Sequence, residues 1–388
     1  MEEGLAQTKL DDFYGAYKLL SATSLPQTSL KTRGRGSDGG SEVASTQSVS
    51  STPLPPKRLS SPEKYEMGMG MGVPCGLSGY SFKDEATGWN NPNKTEKQRE
   101  ILRSRGRLLN KRMRDPLNYK ITLAKARIRA AIGKYRVDNC YISFSGGKDS
   151  AVLSHLVLSM GYKLEHVFSN TRLEYPGCVK FTYEWCKKNG LKLTMVMPDV
   201  RPHEIWKKYG YPMFSKEIAT ILEKVRIQKT VSPNQTKRVK KFLKYKDVRI
   251  SAKCCDYLKK KPMLGWQKRS GKKVAIMGVR AEESQVRRVV WVRKGCIYET
   301  KNQVVVHPII FFTEKDIWGY INRFKIKLAD IYYNGIRRNG CYCCGFGCHI
   351  TDENNFVKLG KLNPKLWKHV MNDWGFGEIC ERCEVKTE

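Results

Sequence analysis

The chain has 388 residues, 40% of them hydrophobic, and its 71 Lys and Arg against 37 Asp and Glu give a formal charge of +34. That length supports one large domain with extensions and a substantial core, and no run of 18 apolar residues is present to span a membrane. Thirteen cysteines, an odd number in a chain that opens MEEGLAQTKLDDFYG without a basic start and apolar core, argue against a secreted disulfide framework. They point to a cytoplasmic protein that uses cysteine as metal ligand or nucleophile.

In chain order, KLDDFYGAYKLL within residues 1–20 reads as a short helix. Residues 21–60 are rich in Ser, Thr, Pro and Gly, and are expected to be disordered because they have little apolar surface to offset the entropy of ordering. Residues 61–100, with MGMGMGVPCG and GWNNPN, show no periodicity, and Cys75 stands alone there. This extension, 1–100, is neutral, with 12 basic and 12 acidic residues, so the whole +34 falls in 101–388. A field of that sign favours a polyanionic partner, nucleic acid above all.

Residues 101–136 form a basic helical segment, 12 basic side chains against Asp115. Its second helix carries an apolar stripe of Ile121, Ala124, Ile128, Ala131 and Ile132, and its basic face either docks phosphates or is merely solvated. From 137 to 388 strands and helices alternate: strands at 139–145, 164–171, 193–198 and 272–280, helices at 149–161 and 179–190. This predicts an α/β, Rossmann-like, mostly parallel sheet flanked by helices, with ligands beyond the carboxyl ends of the strands.

The first strand runs into SGGKDS, residues 145–150, which opens a helix. Gly146 and Gly147 permit a tight turn with exposed amides, and the helix start adds unpaired N–H groups and a favourable dipole. Ser145 and Ser150 offer hydroxyls, Lys148 a charge, and Asp149 a carboxylate to orient the loop or hold Mg²⁺. The spacing is neither Walker A nor a dinucleotide fingerprint. GVRAEES follows the 272–280 strand and sets Arg280 to meet an anion, with Glu283 to orient Arg280 or contact Mg²⁺ and Arg287 as a further anion contact. Thr313 and Asp316 mark a helix start, with His307 near the site.

Two cysteine pairs stand out: Cys254 and Cys255, then Cys341 and Cys344 in CxxC spacing. Four thiolates together suit zinc or an iron–sulfur cluster, and spacing leaves both open. Cys343 lies between two candidate ligands, and Arg337 and Arg338 precede them as anion contacts. Cys348, His349, Cys380 and Cys383 form either a zinc site, or Cys380 and Cys383 a mobile dithiol that shuttles sulfur or electrons, or an inert pair. Cys178 is a lesser nucleophile candidate, and Cys186 reads as core.

FSGGKDS resembles the signature of the PP-loop superfamily, the adenine nucleotide alpha-hydrolase-like proteins. NTRLEYPG (170–177), YGYPMFSKE (209–217), GVRAEESQVRR (278–288) and HPIIFFTEKDIWGYI (307–321) are similar to elements of its PAPS-reductase-like, or sulfonucleotide reductase, branch. The resemblance covers 139–350. It implies that the loop holds the pyrophosphate of ATP, and that Cys254, Cys255, Cys341 and Cys344 ligate a [4Fe–4S] cluster. It implies two chemistries. In one, ATP adenylates a substrate oxygen, pyrophosphate leaves, and a sulfur donor displaces AMP; iron–sulfur members of this kind thiolate tRNA bases. In the other, adenylylsulfate or its phosphorylated form is reduced by a C-terminal cysteine, here Cys380, although the GEICERCEV tail lacks the reductases' Gly-Leu-His. The complete SGGKDS favours the first, with the lysine-rich stretch 229–249 as nucleic-acid contact and a sulfur- or electron-donor protein as partner. A non-enzymatic nucleotide- and cluster-binding module is the remaining reading.

Overall fold

In the computed structural model residues 95–388 are described; the expected helix in 1–20, the expected disorder of 21–60 and Cys75 lie outside the described residues. Two helices come first, α1 (Glu96–Arg114) and α2 (Leu117–Tyr135). Thr95 starts α1 with a capping box to Gln98, and Pro116 separates the two helices because it cannot donate to a continuing helix. The α2 stripe buries Ala124, Ile128, Ala131 and Ile132 as its spacing predicts, each large aliphatic contributing about 1.5–3 kcal/mol.

Much of the basic charge here is engaged internally. Arg127 stacks 4.3 Å over Phe311, buried Lys120 donates to Asp316 at 2.6 Å, and Glu96 and Glu100 pair with Arg99, Arg103 and Arg107 along α1. The expected phosphate-docking face is thereby reduced.

The alternation that follows comprises β1 (Cys140–Ser143), α3 (Lys148–Leu158), β2 (Glu165–Ser169), α4 (Pro176–Lys188), β3 (Leu193–Val196), α5 (Pro202–Tyr209), β4 (Met213–Phe214), α6 (Lys216–Arg226) and α7 (Pro233–Arg238). Next come α8 (Lys253–Cys255), which passes through a π turn at Asp256–Lys260 into α9 (Lys261–Ser270), and β5 (Val274–Met277). The chain ends with α10 (Gln285–Lys294), β6 (Ile297–Glu299), β7 (Val304–Val306), α11 (Glu314–Phe324), β8 (Gly345–Phe346), α12 (Asn355–Leu362), α13 (Pro364–Lys368) and α14 (Phe376–Arg382).

The main sheet has the order β3-β2-β1-β5-β7-β6, parallel except for β6 against β7. It is the α/β Rossmann-like arrangement that the alternation predicts. β6 and β7 extend it by a hairpin that the periodicity did not reveal. A separate two-stranded parallel pair, β4 with β8, joins YPMF to the cysteine stretch. No helix among the described residues is long and apolar enough to cross a membrane.

Behind β1 a polar chain is buried in the core. Trp185 Nε1 donates to Ser154 Oγ at 2.8 Å, Ser154 Oγ lies 2.7 Å from His166 Nε2, and His166 Nδ1 lies 2.9 Å from the Leu164 carbonyl. With Nδ1 donating to Leu164, Nε2 accepts from Ser154 and the ring is neutral. Burial depresses the His166 pKa to about 4, and burial with Arg287 nearby does the same to His307. Both pKa values lie below the unfolded one, so the unfolded chain binds more protons. The associated stability is complete above about pH 6.5 and is lost as the pH falls toward about 4. Equilibrium denaturation should show that decline, up to about 3 kcal/mol per histidine, and His166→Gln should flatten part of the slope; a slope unchanged by the substitution would contradict a neutral buried His166.

Candidate active site

The loop after β1 is held in a conformation that only glycine tolerates at one position. Gly146 has φ +68°, and a Cβ there would come within 2.6 Å of Thr182 Oγ1 and 2.8 Å of the Cys178 carbonyl oxygen. Ser150 Oγ donates to the Gly147 carbonyl at 2.8 Å, and the Ser145 and Gly147 amides donate to Ser150 Oγ and Ser145 Oγ at 3.3 Å. The two serine hydroxyls, expected to contact ligand, thus brace the loop from within.

Buried ions sit beside this loop. The Lys148 side chain is 2% exposed; its Nζ donates to the Arg337 carbonyl at 3.2 Å and lies 3.4 Å from Glu314 Oε1 and 3.6 Å from Asp149 Oδ2. Arg280 is 4% exposed, with Nη1 donating to Glu282 at 2.8 Å and Nη2 to Glu314 at 2.6 Å. Its Nε lies 2.5 Å from Asp149 Oδ1, but the two atoms are off-axis for a hydrogen bond. Burial opposes ionisation of Glu314, yet Lys148 and Arg280 hold its carboxyl below the ordinary value.

Glu283, expected to orient Arg280 or contact Mg²⁺, accepts from the Arg280 amide at 3.3 Å and pairs with Arg287 and Arg338. Glu282 and Glu314 hold the Arg280 guanidinium. Sequence reading did not single out Glu314, the first residue of α11 after the Thr313 cap. His307 is buried against Tyr298, with no partner on Nδ1.

A strap between α11 and β8 lies over the loop. Tyr332 Oη accepts the Lys148 amide hydrogen at 3.0 Å and Asn339 Nδ2 donates to the Ser145 carbonyl. No spacing signal marks Tyr332 or Asn339. The strap leads straight into Cys341.

The cysteines are gathered by three local devices. Ser251 accepts the Lys253 amide hydrogen at 3.1 Å and donates to buried Glu223 at 2.9 Å, which launches α8 with Cys254 and Cys255. Cys341 forms a bridge with Glu174, and the Tyr342 amide donates to the Leu173 carbonyl at 2.9 Å. Gly345 pairs with Met213 in the β4–β8 ribbon, where a Cβ would meet the Pro212 carbonyl oxygen at 2.5 Å. Cys344 is thereby set beside Lys216.

These thiols lie close enough to perturb one another's protonation. Hydrogen bonding to Cys255, then burial, then Cys344 and Cys341 raise the Cys254 pKa. The same hydrogen bond from Cys254 lowers that of Cys255 to about 6, with Lys216 and Lys259 assisting against burial. Burial pushes Cys344 up to about 12 and raises Cys341. Cys343, also buried, is raised well above its ordinary value.

The raised thiols, Cys254, Cys341, Cys343 and Cys344, stay protonated unless a positive group joins them. Among the described residues no three His, Cys, Asp or Glu side chains are arranged to hold a single metal ion. The two thiol pairs are drawn from distant parts of the chain, Cys254 and Cys255 in α8 and Cys341 and Cys344 in the turn before β8.

The C-terminal cysteines lie elsewhere than expected for a mobile tail. Cys380, on α14, and Cys383, just after it, are 1% and 2% exposed. Phe376 anchors that helix edge-on to Trp206 at 4.9 Å and Tyr211 at 5.0 Å. Burial raises both thiols, Cys383 to about 12, and Cys348 lies close enough to raise them further. His349 is turned away between Phe214 and Phe242, at 5.9 and 5.3 Å, so a Cys348/His349/Cys380/Cys383 zinc set is not assembled. Cys178 is buried, its thiol pushed up to about 12 by burial, and Cys186 is core as expected.

Arg280→Ala leaves three carboxylates facing one another and Lys148, and should cost about 3–5 kcal/mol in denaturant unfolding. Gly146→Ala should abolish nucleotide binding in calorimetry by distorting the loop; undiminished binding would show that the loop is not the phosphate cradle.

The phosphoadenosine phosphosulfate reductase domain model matches residues 139–223 and 213–345, more than half of the chain. An uncharacterised protein of Methanocaldococcus jannaschii is 27% identical over 240 residues, 61% of this chain and 48% of its own. The adenosine 5'-phosphosulfate reductase of Anoxybacillus flavithermus is 24% identical over 238 residues, 59% of this chain and 83% of its own. The chain thus spans about half the length of the first of these relatives. Similar solved structures include a phosphoadenylyl-sulfate reductase from Candida auris, 14% identical over 56% of this chain and 87% of that one, TM-score 0.37. Another is the U34-tRNA thiolase NcsA from Methanococcus maripaludis with its [4Fe-4S] cluster, 15% identical over 67% of this chain and 79% of that one, TM-score 0.33. At such TM-scores neither likeness bears on activity. By the match over its sheet and cysteine stretch, the chain belongs to the phosphoadenosine phosphosulfate reductase domain family.

Proposed function

We propose that this protein is a nucleotide-dependent enzyme of sulfur chemistry. The 145–150 loop holds the phosphate end of an adenine nucleotide, and Cys254, Cys255, Cys341 and Cys344 hold a [4Fe–4S] cluster. The observation that carries this reading is the strap, which contacts the nucleotide loop through Tyr332 and Asn339 and continues into Cys341. When bound, such a cluster supplies a redox-active, polarising group close to the nucleotide. The lysines at 216, 253 and 259 around it attract an anionic substrate.

The first reading of the reaction is reduction of adenylylsulfate or its phosphorylated form. It is supported by the family match and by the reductase relative. A thiolate attacks the substrate sulfur, the S–O bond breaks and the nucleotide leaves, as AMP from adenylylsulfate or as adenosine 3',5'-bisphosphate from its phosphorylated form, giving a thiosulfonate. A second thiol displaces sulfite and closes a disulfide, so two thiols supply the two electrons. For Cys380 or Cys383 to serve, α14 must first leave its seat against Trp206, because their burial disfavours the thiolate.

A specific arrangement favours the second reading, adenylation by ATP. Beside the complete loop, two cations, Lys148 and Arg280, face three carboxylates, Asp149, Glu282 and Glu314. That acid surplus suits a polyphosphate arriving with Mg²⁺ better than a bare sulfonucleotide. A substrate oxygen attacks the α-phosphorus, pyrophosphate leaves, and a sulfur donor then displaces AMP.

The experiment is anaerobic purification, with iron and sulfide analysis, followed by two assays. Sulfite release from adenylylsulfate with thiol reductant, abolished by Cys380→Ser, supports reduction. Pyrophosphate release from ATP, stimulated by bulk RNA and insensitive to Cys380→Ser, supports adenylation. Cys341→Ser should remove most of the iron while Cys343→Ser retains it; equal retention in both would exclude the proposed ligand set.

A further inference from the structure

Two donors of the 145–150 loop are already taken by oxygens of the chain itself. Lys148 offers both of them, its backbone amide at the start of α3 and its side-chain ammonium. The amide, one of the N–H groups that a helix start leaves without an internal partner, donates to Tyr332 Oη at 3.0 Å. The ammonium donates to the Arg337 carbonyl at 3.2 Å. Both acceptors belong to the strap. Burial raises the Tyr332 pKa, while the Lys148 and Asn339 amides act against that rise, so two backbone N–H groups converge on one phenolic oxygen. A Cβ on Gly147 would lie 3.1 Å from that oxygen and 3.3 Å from Asn339 Cβ, so the strap rests directly on the glycine turn. Asn339 Nδ2 adds its bond to the Ser145 carbonyl. At the same loop, Arg280 Nε and Asp149 Oδ1 are buried without a hydrogen-bond partner.

The strap is fastened unevenly. Ile331 and Ile336 are core residues, and a 3₁₀ turn at Asp330–Tyr332 holds the end nearer α11. Residues 337–339 make no backbone-to-backbone hydrogen bond among the described residues. They are tied by the contacts to the loop and by exposed Arg338, which reaches Glu283 at 3.2 Å.

We propose that the strap is a plug in the phosphate site: Tyr332 Oη and the Arg337 carbonyl occupy the positions of two phosphate oxygens, and an arriving phosphate displaces both. This rests on the reading that the loop holds the phosphate end of a nucleotide. A hydroxyl and a carbonyl accept from the same donors as a phosphate oxygen but bring no charge to the Lys148 ammonium. A phosphate therefore replaces them with a stronger, charge-assisted bond. Once its two oxygens are displaced, the stretch 337–339 loses most of what holds it down. The plug lowers the apparent affinity for the ligand by the fraction of molecules in which it is lifted.

Calorimetry of the full chain with inorganic pyrophosphate and with ATP, each with Mg²⁺, tests this, together with limited trypsin digestion read by mass spectrometry. Tyr332→Phe removes one competing oxygen and should bind both probes about fivefold more tightly. Asn339→Ala frees the Ser145 carbonyl and should act in the same direction. In the parent, saturating pyrophosphate should speed cleavage after the exposed Arg337 and Arg338 several-fold. The digestion needs no variant, so it decides the matter even where Tyr332→Phe fails to fold. A Tyr332→Phe protein that melts like the parent and binds no more tightly overturns the plug. So does ligand protection of Arg337 and Arg338, the mark of a lid that closes over its ligand. Either result leaves nucleotide binding standing. Binding of neither probe, to the parent or to folded Tyr332→Phe/Asn339→Ala, sinks the reading of the loop and the plug with it.

Discussion

The buried guanidinium of Arg280 is the constraint on which the site depends. It stands at the carboxyl end of β5 and reaches Asp149 at the start of α3, Glu282 in the next turn, and Glu314 at the start of α11. One cation therefore ties three chain segments whose strands or helices meet at that edge of the sheet. A charge so enclosed is tolerated only because several carboxylates surround it, and with Lys148 it in turn holds the Glu314 carboxyl below its ordinary value. On the proposed reading, a nucleotide enters this closed exchange of partners either by displacing a carboxylate from a cation or by bringing a cation of its own.

The cysteine quartet depends on a different fastening. The two-residue strands β4 and β8 would be marginal in isolation. They are held because Met213 and Phe214 are core residues and because Gly345 allows the backbones to approach closely. That ribbon and the Glu174–Cys341 bridge set the CxxC turn between the loop after β2 and α8. The strap ahead of Cys341 also contacts the nucleotide loop. One continuous segment thus joins the 145–150 loop to the CxxC turn.

The strands β1, β2, β3 and β5 and the loop at 145–150 were legible because a buried parallel strand is a short apolar run and a phosphate loop needs glycines at its turn. The cysteine pairs could be grouped on thiolate chemistry, but only the family resemblance pointed to an iron–sulfur cluster over zinc, since a separation of about 85 residues carries no spacing rule of its own. Which glutamate meets the Arg280 guanidinium was not legible, because a 3₁₀ turn at Ala281–Glu283 sets Glu282 toward that guanidinium and Glu283 toward the Arg280 amide and Arg287. The C-terminal CxxC reads like a mobile dithiol in a charged tail, yet Phe376 and Ile379 make its helix amphipathic enough to bury it.

The sequence by itself determined the parallel sheet, the glycine turn that opens α3, the helix caps and the overall excess of positive charge, because each follows from local pattern or composition. Only the tertiary structure decided which carboxylates hold Arg280, which hydroxyl sits on the Lys148 amide, and which thiols are enclosed together. Those outcomes turn on which groups share a buried volume, and burial raises electrostatic and packing energies in ways that neighbours along the chain do not reveal.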